Sequence, residues 1–233
     1  MPKLLNALPI IIASCLTVEI RAANMFEGFD GDGGAGPSWE TAEWRNEPFF
    51  GCRFSSTEVW RTGTGEVQLN VNNSVASDIK CAEIRAWPNF LYGKFVTRIR
   101  PGTIPGGNTA FFLITDTTGD DPHYEIDLEF IREGKVLHTN VWTAGKQNYE
   151  QVKIDAGWRT IGFEWRPEYI RFFHVDDKGK EQEFRRMNAR ISSPMRLMLN
   201  HWIGDNSSSS VTFLAPYTNQ GGAALVDWIQ VSN

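Results

Sequence analysis

The 233 residues carry a formal charge of −5 and 12% aromatic side chains, among them nine Trp and fifteen Phe. That length suits one single-core domain, because all-β sandwiches reach it undivided. With no basic stripe the chain lacks the footprint of a nucleic-acid binder, so no nucleic-acid partner is expected. No segment beyond the first 23 residues is apolar enough to cross a bilayer as a helix.

In chain order, Lys3, the apolar run from Leu4 to Val18 and Arg21-Ala22-Ala23 read as an export signal over residues 1–23, cleaved near Ala22 or Ala23. Ile12-Ala13-Ser14-Cys15 also resembles a lipoprotein box, in which Cys15 becomes the lipidated first residue of an envelope-anchored protein. A secreted domain over residues 24–233 is therefore expected. It retains Cys52 and Cys81, an even pair that export makes a candidate disulfide. Closing that loop stabilises the fold by about 3–4 kcal/mol on a chain-entropy estimate; two buried free thiols are the alternative.

Residues 24–45, rich in Gly, Asp and Trp, read as an irregular entry with one short strand. Short β-rich runs follow at 56–61, 66–71, 93–100, 109–115, 125–131, 136–142, 159–166, 169–175, 195–202 and 224–231. Turn clusters such as Thr62-Gly63-Thr64-Gly65, Pro105-Gly106-Gly107 and Asp176-Asp177-Lys178-Gly179 separate them, and the spacing predicts an antiparallel sandwich. Asn206-Ser207-Ser208-Ser209-Ser210 reads as a polar loop, and no long amphipathic helix, repeat or linker is visible. Most of the Phe are expected in the core, while surplus aromatics fit a groove on which sugar rings stack.

The run Tyr124-Glu125-Ile126-Asp127-Leu128-Glu129-Phe130 alternates large apolar and acidic residues. With a period of two, a strand projects all three carboxylates from one face. Like charges so close split their pKa values, leaving one ionised and another protonated near neutral pH. A nucleophile and a general acid flanking a glycosidic bond need that split. On a flat strand the Glu125 and Glu129 Cα atoms lie about 13 Å apart, whereas the carboxyl groups of a retaining glycosidase sit about 5–5.5 Å apart. Long side chains leaning inward on a concave strand close that gap, with Asp127 between them sharing a proton. Glu125 with Asp127 is the alternative pairing, and a merely acidic exposed strand the bland reading.

Glu125-Ile126-Asp127-Leu128-Glu129 resembles the signature of glycoside hydrolase family 16, in the regular-strand form of bacterial lichenases (β-1,3-1,4-glucanases), exopolysaccharide glucanases and plant xyloglucan-active enzymes. The likeness extends over roughly residues 25–231: the Cys52 and Cys81 positions, Cys81-Ala82-Glu83-Ile84-Arg85, Tyr92-Gly93-Lys94-Phe95, Phe111-Phe112, Phe163-Glu164-Trp165-Arg166-Pro167, Asn200-His201-Trp202 and Asp227-Trp228. The resemblance implies a β-jelly roll of two curved antiparallel sheets whose concave face binds an extended β-glucan. It makes Glu125 the nucleophile, Glu129 the general acid/base and Asp127 the residue that orients Glu125 and sets protonation. Catalysis then proceeds with retention and without a cofactor. Asn46, Glu83, Arg85, Asn140 (after a one-residue shift) and Asn200 are implied to bond sugar hydroxyls, with Phe112, His123, Trp142 and Trp202 lining the cleft. Glu83 with Arg85 as an ion pair, and Trp142 as core, are the alternatives.

Lichenases also hold a structural calcium, for which Asp227 and the carbonyls of Gly28 and Gly65 stand at the matching positions. His123, His138, His174 and His201 show no metal-ligand spacing, and His138 and His174 read as structural or exposed. Substrate is less legible than chemistry. His123-Tyr124 stands where lichenases have Trp-Asp, Ile114 replaces their Tyr, and the C-terminal cysteines of the plant enzymes are absent. The implied function is a monomeric retaining endo-β-glucanase acting on mixed-linkage or related β-glucan. An exopolysaccharide depolymerase and a transglycosylase share its carboxylates, and a non-catalytic glycan-binding sandwich is the remote rival.

Overall fold

The computed structural model describes residues 24–45, 48–115 and 123–233. Sixteen strands, one short α-helix and a single 3-10 turn at Ser56–Glu58 span them. In chain order the strands are β1 (Met25–Glu27), β2 (Trp39–Thr41), β3 (Arg53–Phe54), β4 (Val59–Arg61), β5 (Val67–Val71), β6 (Lys80–Phe90), β7 (Gly93–Arg100), β8 (Gly107–Ile114), β9 (Glu125–Ile131), β10 (Val136–Thr143), β11 (Lys146–Lys153), β12 (Arg159–Trp165), β13 (Tyr169–Val175), β14 (Glu181–Asn188), β15 (Met195–Ile203) and β16 (Gly222–Ser232), with helix α1 at Ser208–Leu214. They form two eight-stranded sheets stacked as a jelly roll. The groove sheet runs β11-β10-β9-β8-β15-β6-β2, with β3 beside β6. The outer sheet runs β14-β13-β12-β7-β16-β5-β4, with β1 beside β16.

The sequence period places the core between the sheets. In β5, Val67, Leu69 and Val71 are buried while Gln68 and Asn70 are not, and in β9 Ile126, Leu128 and Phe130 are fully buried. Phe111 of β8 meets Phe163 of β12 across the sandwich at 5.5 Å between ring centroids, and Phe163 stacks on Phe95 of β7 at 5.2 Å. The Phe residues are thus largely core, as expected. A second apolar cluster under one end of the groove contains Phe54, Trp202, Ile203, Leu214 and the Cys52–Cys81 disulfide, whose Cα atoms are 5.9 Å apart.

Several elements depart from the sequence reading. The entry holds two short strands, β1 and β2, rather than one. Strands β6, β11 and β14 were absent from it: β6 contains Pro88 and a charged outer face, while β11 and β14 are mostly polar. The polar loop at 206–210 becomes the start of α1, because Ser207 caps it by accepting from the Ser210 amide. Among the described residues no helix is long and apolar enough to cross a membrane. The export segment, Cys15 included, lies outside the described residues.

Candidate active site

The alternation that buries Ile126, Leu128 and Phe130 turns Glu125, Asp127 and Glu129 out of the opposite face of β9, near the middle of the groove sheet. Antiparallel register then fixes their neighbours. Across β10, Trp142 faces Glu125, Asn140 faces Asp127 and His138 faces Glu129. Across β8, the partners are Ile114, Phe112 and Ala110. Further out, β15 sets Met198 beside Phe112 and Asn200 beside Ala110, and β6 adds Arg85 and Glu83 in the same two rows. The groove crosses the strands and has two lobes that share the three carboxylates. One lobe, of about 420 Å³, is lined by Trp44, Glu83, Arg85, Phe112, His123 and Asn200. The other, of about 600 Å³, is lined by Phe49, His138, Asn140, Trp142, Tyr149 and Phe213.

The carboxylates differ in surroundings. Burial pushes the Asp127 carboxyl well above the ordinary carboxylate range; the charges of Glu125 and Glu129 and a hydrogen bond with Glu125 push it the same way. Burial also raises Glu129, to about 8, opposed by a hydrogen bond from Asn108 and assisted by the Glu125 charge. Glu129 Oε1 accepts from Asn108 Nδ2 at 2.6 Å, and its Oε2 lies 3.7 Å from His138 Nε2. His138 is itself held down to about 4, first by burial and then by the Arg185 guanidinium. Glu125 Oε2 pairs with His123 Nε2 at 2.8 Å, and that bond is the chief cause of the raised His123 pKa. One strand therefore presents two acids, Asp127 and Glu129, pushed up chiefly by burial, beside Glu125, whose side chain is held by His123.

The expected sugar-contacting residues converge on this groove, except Asn46, which lies outside the described residues. Glu83 is 2% exposed and accepts from Arg85 Nε (2.8 Å), Trp44 Nε1 (3.3 Å) and Asn200 Nδ2 (3.1 Å). The Glu83–Arg85 ion pair and the groove floor are thus one feature. Asn200 in one lobe and Asn140 in the other each keep a buried Oδ1 with no hydrogen-bond partner among the described residues. A buried orphan acceptor is costly unless a ligand hydroxyl reaches it. Trp142 is half-buried, edge-on to His123 at 5.2 Å, and outside both apolar clusters. Trp202 is only 4% exposed, with its ring 4.2 Å from that of Phe50, so it is a wall rather than a bare platform.

Sequence reasoning missed Asn108, Trp44, Phe49 and Tyr149, and read His138 as structural or exposed. Two of these had a signal. Position 138 shares its parity with 140 and 142, and position 108 with 110 and 112, so period two alone places them on the groove face.

The expected calcium does not fit these residues. Asp227 Oδ2 bonds the guanidinium of Arg98, which puts a positive charge where a cation would bind. Among the described residues no group of three or more His, Cys, Asp or Glu is arranged to hold a metal ion.

The family model for glycosyl hydrolases family 16 matches residues 47–230. A beta-glucanase of Bacillus subtilis is 28% identical over 174 residues, covering 71% of this chain and 70% of that protein. Among solved structures, Bacillus licheniformis beta-glucanase superposes with a TM-score of 0.80 at 24% identity, covering 90% of this chain and 98% of that one. A prokaryotic beta-1,3-1,4-glucanase (lichenase) from a mouse hindgut metagenome gives 0.78 at 26% identity, with coverages of 90% and 98%.

Proposed function

Since the chain belongs to glycosyl hydrolases family 16 and is thereby an O-glycosyl hydrolase, we propose that it cuts mixed-linkage β-1,3-1,4-glucan internally, with retention at the anomeric carbon. The observation that carries this reading is the single face of β9, where Glu125 and Glu129 flank Asp127 at the centre of an open two-lobed groove. A groove that crosses the strands on both sides of the carboxylates suits an extended chain entered along its length.

In the first step Glu125 attacks the anomeric carbon. The glycosidic C–O bond breaks, and the departing oxygen takes the proton that Glu129 carries at neutral pH. In the second step water attacks the glycosyl ester, Glu129 takes the proton from that water, and the bond to Glu125 breaks. Asp127, its carboxyl raised well above the ordinary range by burial and bonded to Glu125, donates to the nucleophile without adding a second negative charge beside it. His123 fixes the other side of Glu125. The orphan oxygens of Asn140 and Asn200 accept from sugar hydroxyls on either side of the scissile bond. The Cys52–Cys81 disulfide supports an oxidising, extracytoplasmic location.

His123, two residues before Glu125 where the resemblance places a His in exopolysaccharide- and xyloglucan-active relatives, supports a second substrate, a bacterial exopolysaccharide glucan, in place of the mixed-linkage polymer. Time-resolved product analysis on barley β-glucan, lichenan, laminarin, xyloglucan and such an exopolysaccharide, beside Glu125→Gln, tests the choice. Short products from the mixed-linkage polymers alone, lost in the variant, support the first reading. Cleavage of only the exopolysaccharide replaces the substrate, and transfer products without hydrolysis replace the reaction.

A further inference from the structure

Strand β11 has no apolar reason to exist, because all eight of its residues are exposed and none belongs to either core cluster. It is tied in place by polar groups instead. Beyond its ladder to β10, the buried Arg185 of β14 reaches between the sheets and donates to the Thr139 carbonyl and hydroxyl, each at 2.7 Å. It also donates to the Asn148 carbonyl at 2.8 Å and the Asn148 side-chain oxygen at 2.7 Å. An edge strand tethered so firmly with nothing to bury presents a surface.

That surface continues the groove. Register sets Gln147 opposite Trp142, Tyr149 opposite Asn140 and Gln151 opposite His138, and these β10 residues in turn face the three carboxylates. Tyr149 is 56% exposed and stacks on His138 at 5.2 Å between ring centroids and 27° between planes. His138 is locked by Gln151, which meets its Nδ1 at 3.1 Å, and by the edge of Phe213 at 5.0 Å. The outward part of Tyr149 is thus a rigid aromatic surface with a carboxamide two residues away on each side. It lies two strand spacings from β9, or about 10 Å, in the lobe lined by His138, Asn140 and Trp142. An aromatic ring between planar amides suits a pyranose, whose C–H face lies on the ring while its rim hydroxyls meet the amides.

We propose that Tyr149, with Gln147 and Gln151, forms a distal sugar-binding subsite of this groove and takes a glucosyl unit beyond those at the cleaved bond. The subsite rests on the β-glucan reading given above. Its test is binding of barley β-glucan, by affinity electrophoresis and calorimetry, to Glu125→Gln alone and combined with Tyr149→Ala or Tyr149→Trp. A surface aromatic contact of this kind accounts for roughly a three- to tenfold weakening in the Ala variant, with the Trp variant restoring affinity. Unchanged binding in a folded Tyr149→Ala protein overturns the subsite while leaving the glucan reading standing. Failure of Glu125→Gln itself to bind any β-glucan overturns the glucan reading.

Discussion

Asn108 donates its side-chain amide to Glu129 at 2.6 Å from a position with no solvent exposure. The backbone carbonyl of Asn108 is in turn held by His201 Nδ1 at 2.9 Å, and that ring nitrogen lies 3.0 Å from the Thr109 hydroxyl. A buried polar chain therefore supports the acid from beneath β8. Burial and the Glu125 charge raise Glu129, and Asn108 is the group that pulls it back toward the working range.

The activity profile follows from that balance. Glu129 must be protonated for the first step, so kcat/KM is expected to fall as pH rises through about 8. Asn108→Val removes the lowering hydrogen bond, and the alkaline limb is expected to move to higher pH, with kcat reduced. A rate profile in which the limb stays fixed would show that Asn108 does not tune this group.

Glu129 also bears on stability, with a definite sign. Its folded pKa lies above the unfolded value, so between about 4.3 and 8 the native state holds a proton that the unfolded chain releases. Stability from this group is present below that window and lost as pH rises across it. Glu129→Gln is expected to abolish turnover yet raise Tm at pH 7, by about 2–4 °C for each kcal/mol recovered. The gain should vanish near pH 4, and melting curves across pH 4–8 give the comparison. A Tm difference independent of pH would contradict the assignment.

Gly102 is required by contact. A Cβ there would lie 2.3 Å from His201 Cε1, inside the chain that supports Asn108. Gly102→Ala is expected to destabilise by about 1–3 kcal/mol and to lower kcat beyond what unfolding explains. Denaturant titration with assays on the folded fraction checks both effects.

Chelation offers a contrast. With Asp227 bonded to Arg98, EDTA treatment is expected to leave Tm and kcat unchanged. A Tm drop reversed by calcium would show that the ion displaces Arg98 from Asp227.

Much of this was legible because β-structure has a short period. The alternation from Tyr124 to Phe130 places both the core and the carboxylates, and the strand bounds at Gly93–Arg100, Glu125–Ile131 and Tyr169–Val175 follow from apolar periodicity and flanking turns. What stayed hidden lacks an apolar signal. Strand β11 is ordered by its neighbour and by Arg185, which comes from a strand more than thirty residues later, so Tyr149 looked like part of a loop. Asn108 and His138 had the right parity but met Glu129 only through strand register. The Asp227–Arg98 pair joins residues far apart in the chain, on neighbouring strands of the outer sheet, and nothing local announces it.

On the proposed mechanism Glu125 attacks the anomeric carbon while Glu129 shuttles the proton. Proton NMR of the first products from barley β-glucan tests it directly, because a double displacement releases the β-anomer before mutarotation. Initial accumulation of the β-anomer, with none formed by Glu125→Gln, is the result this account predicts. Initial accumulation of the α-anomer would contradict it, since that outcome requires water, and not Glu125, to attack the sugar.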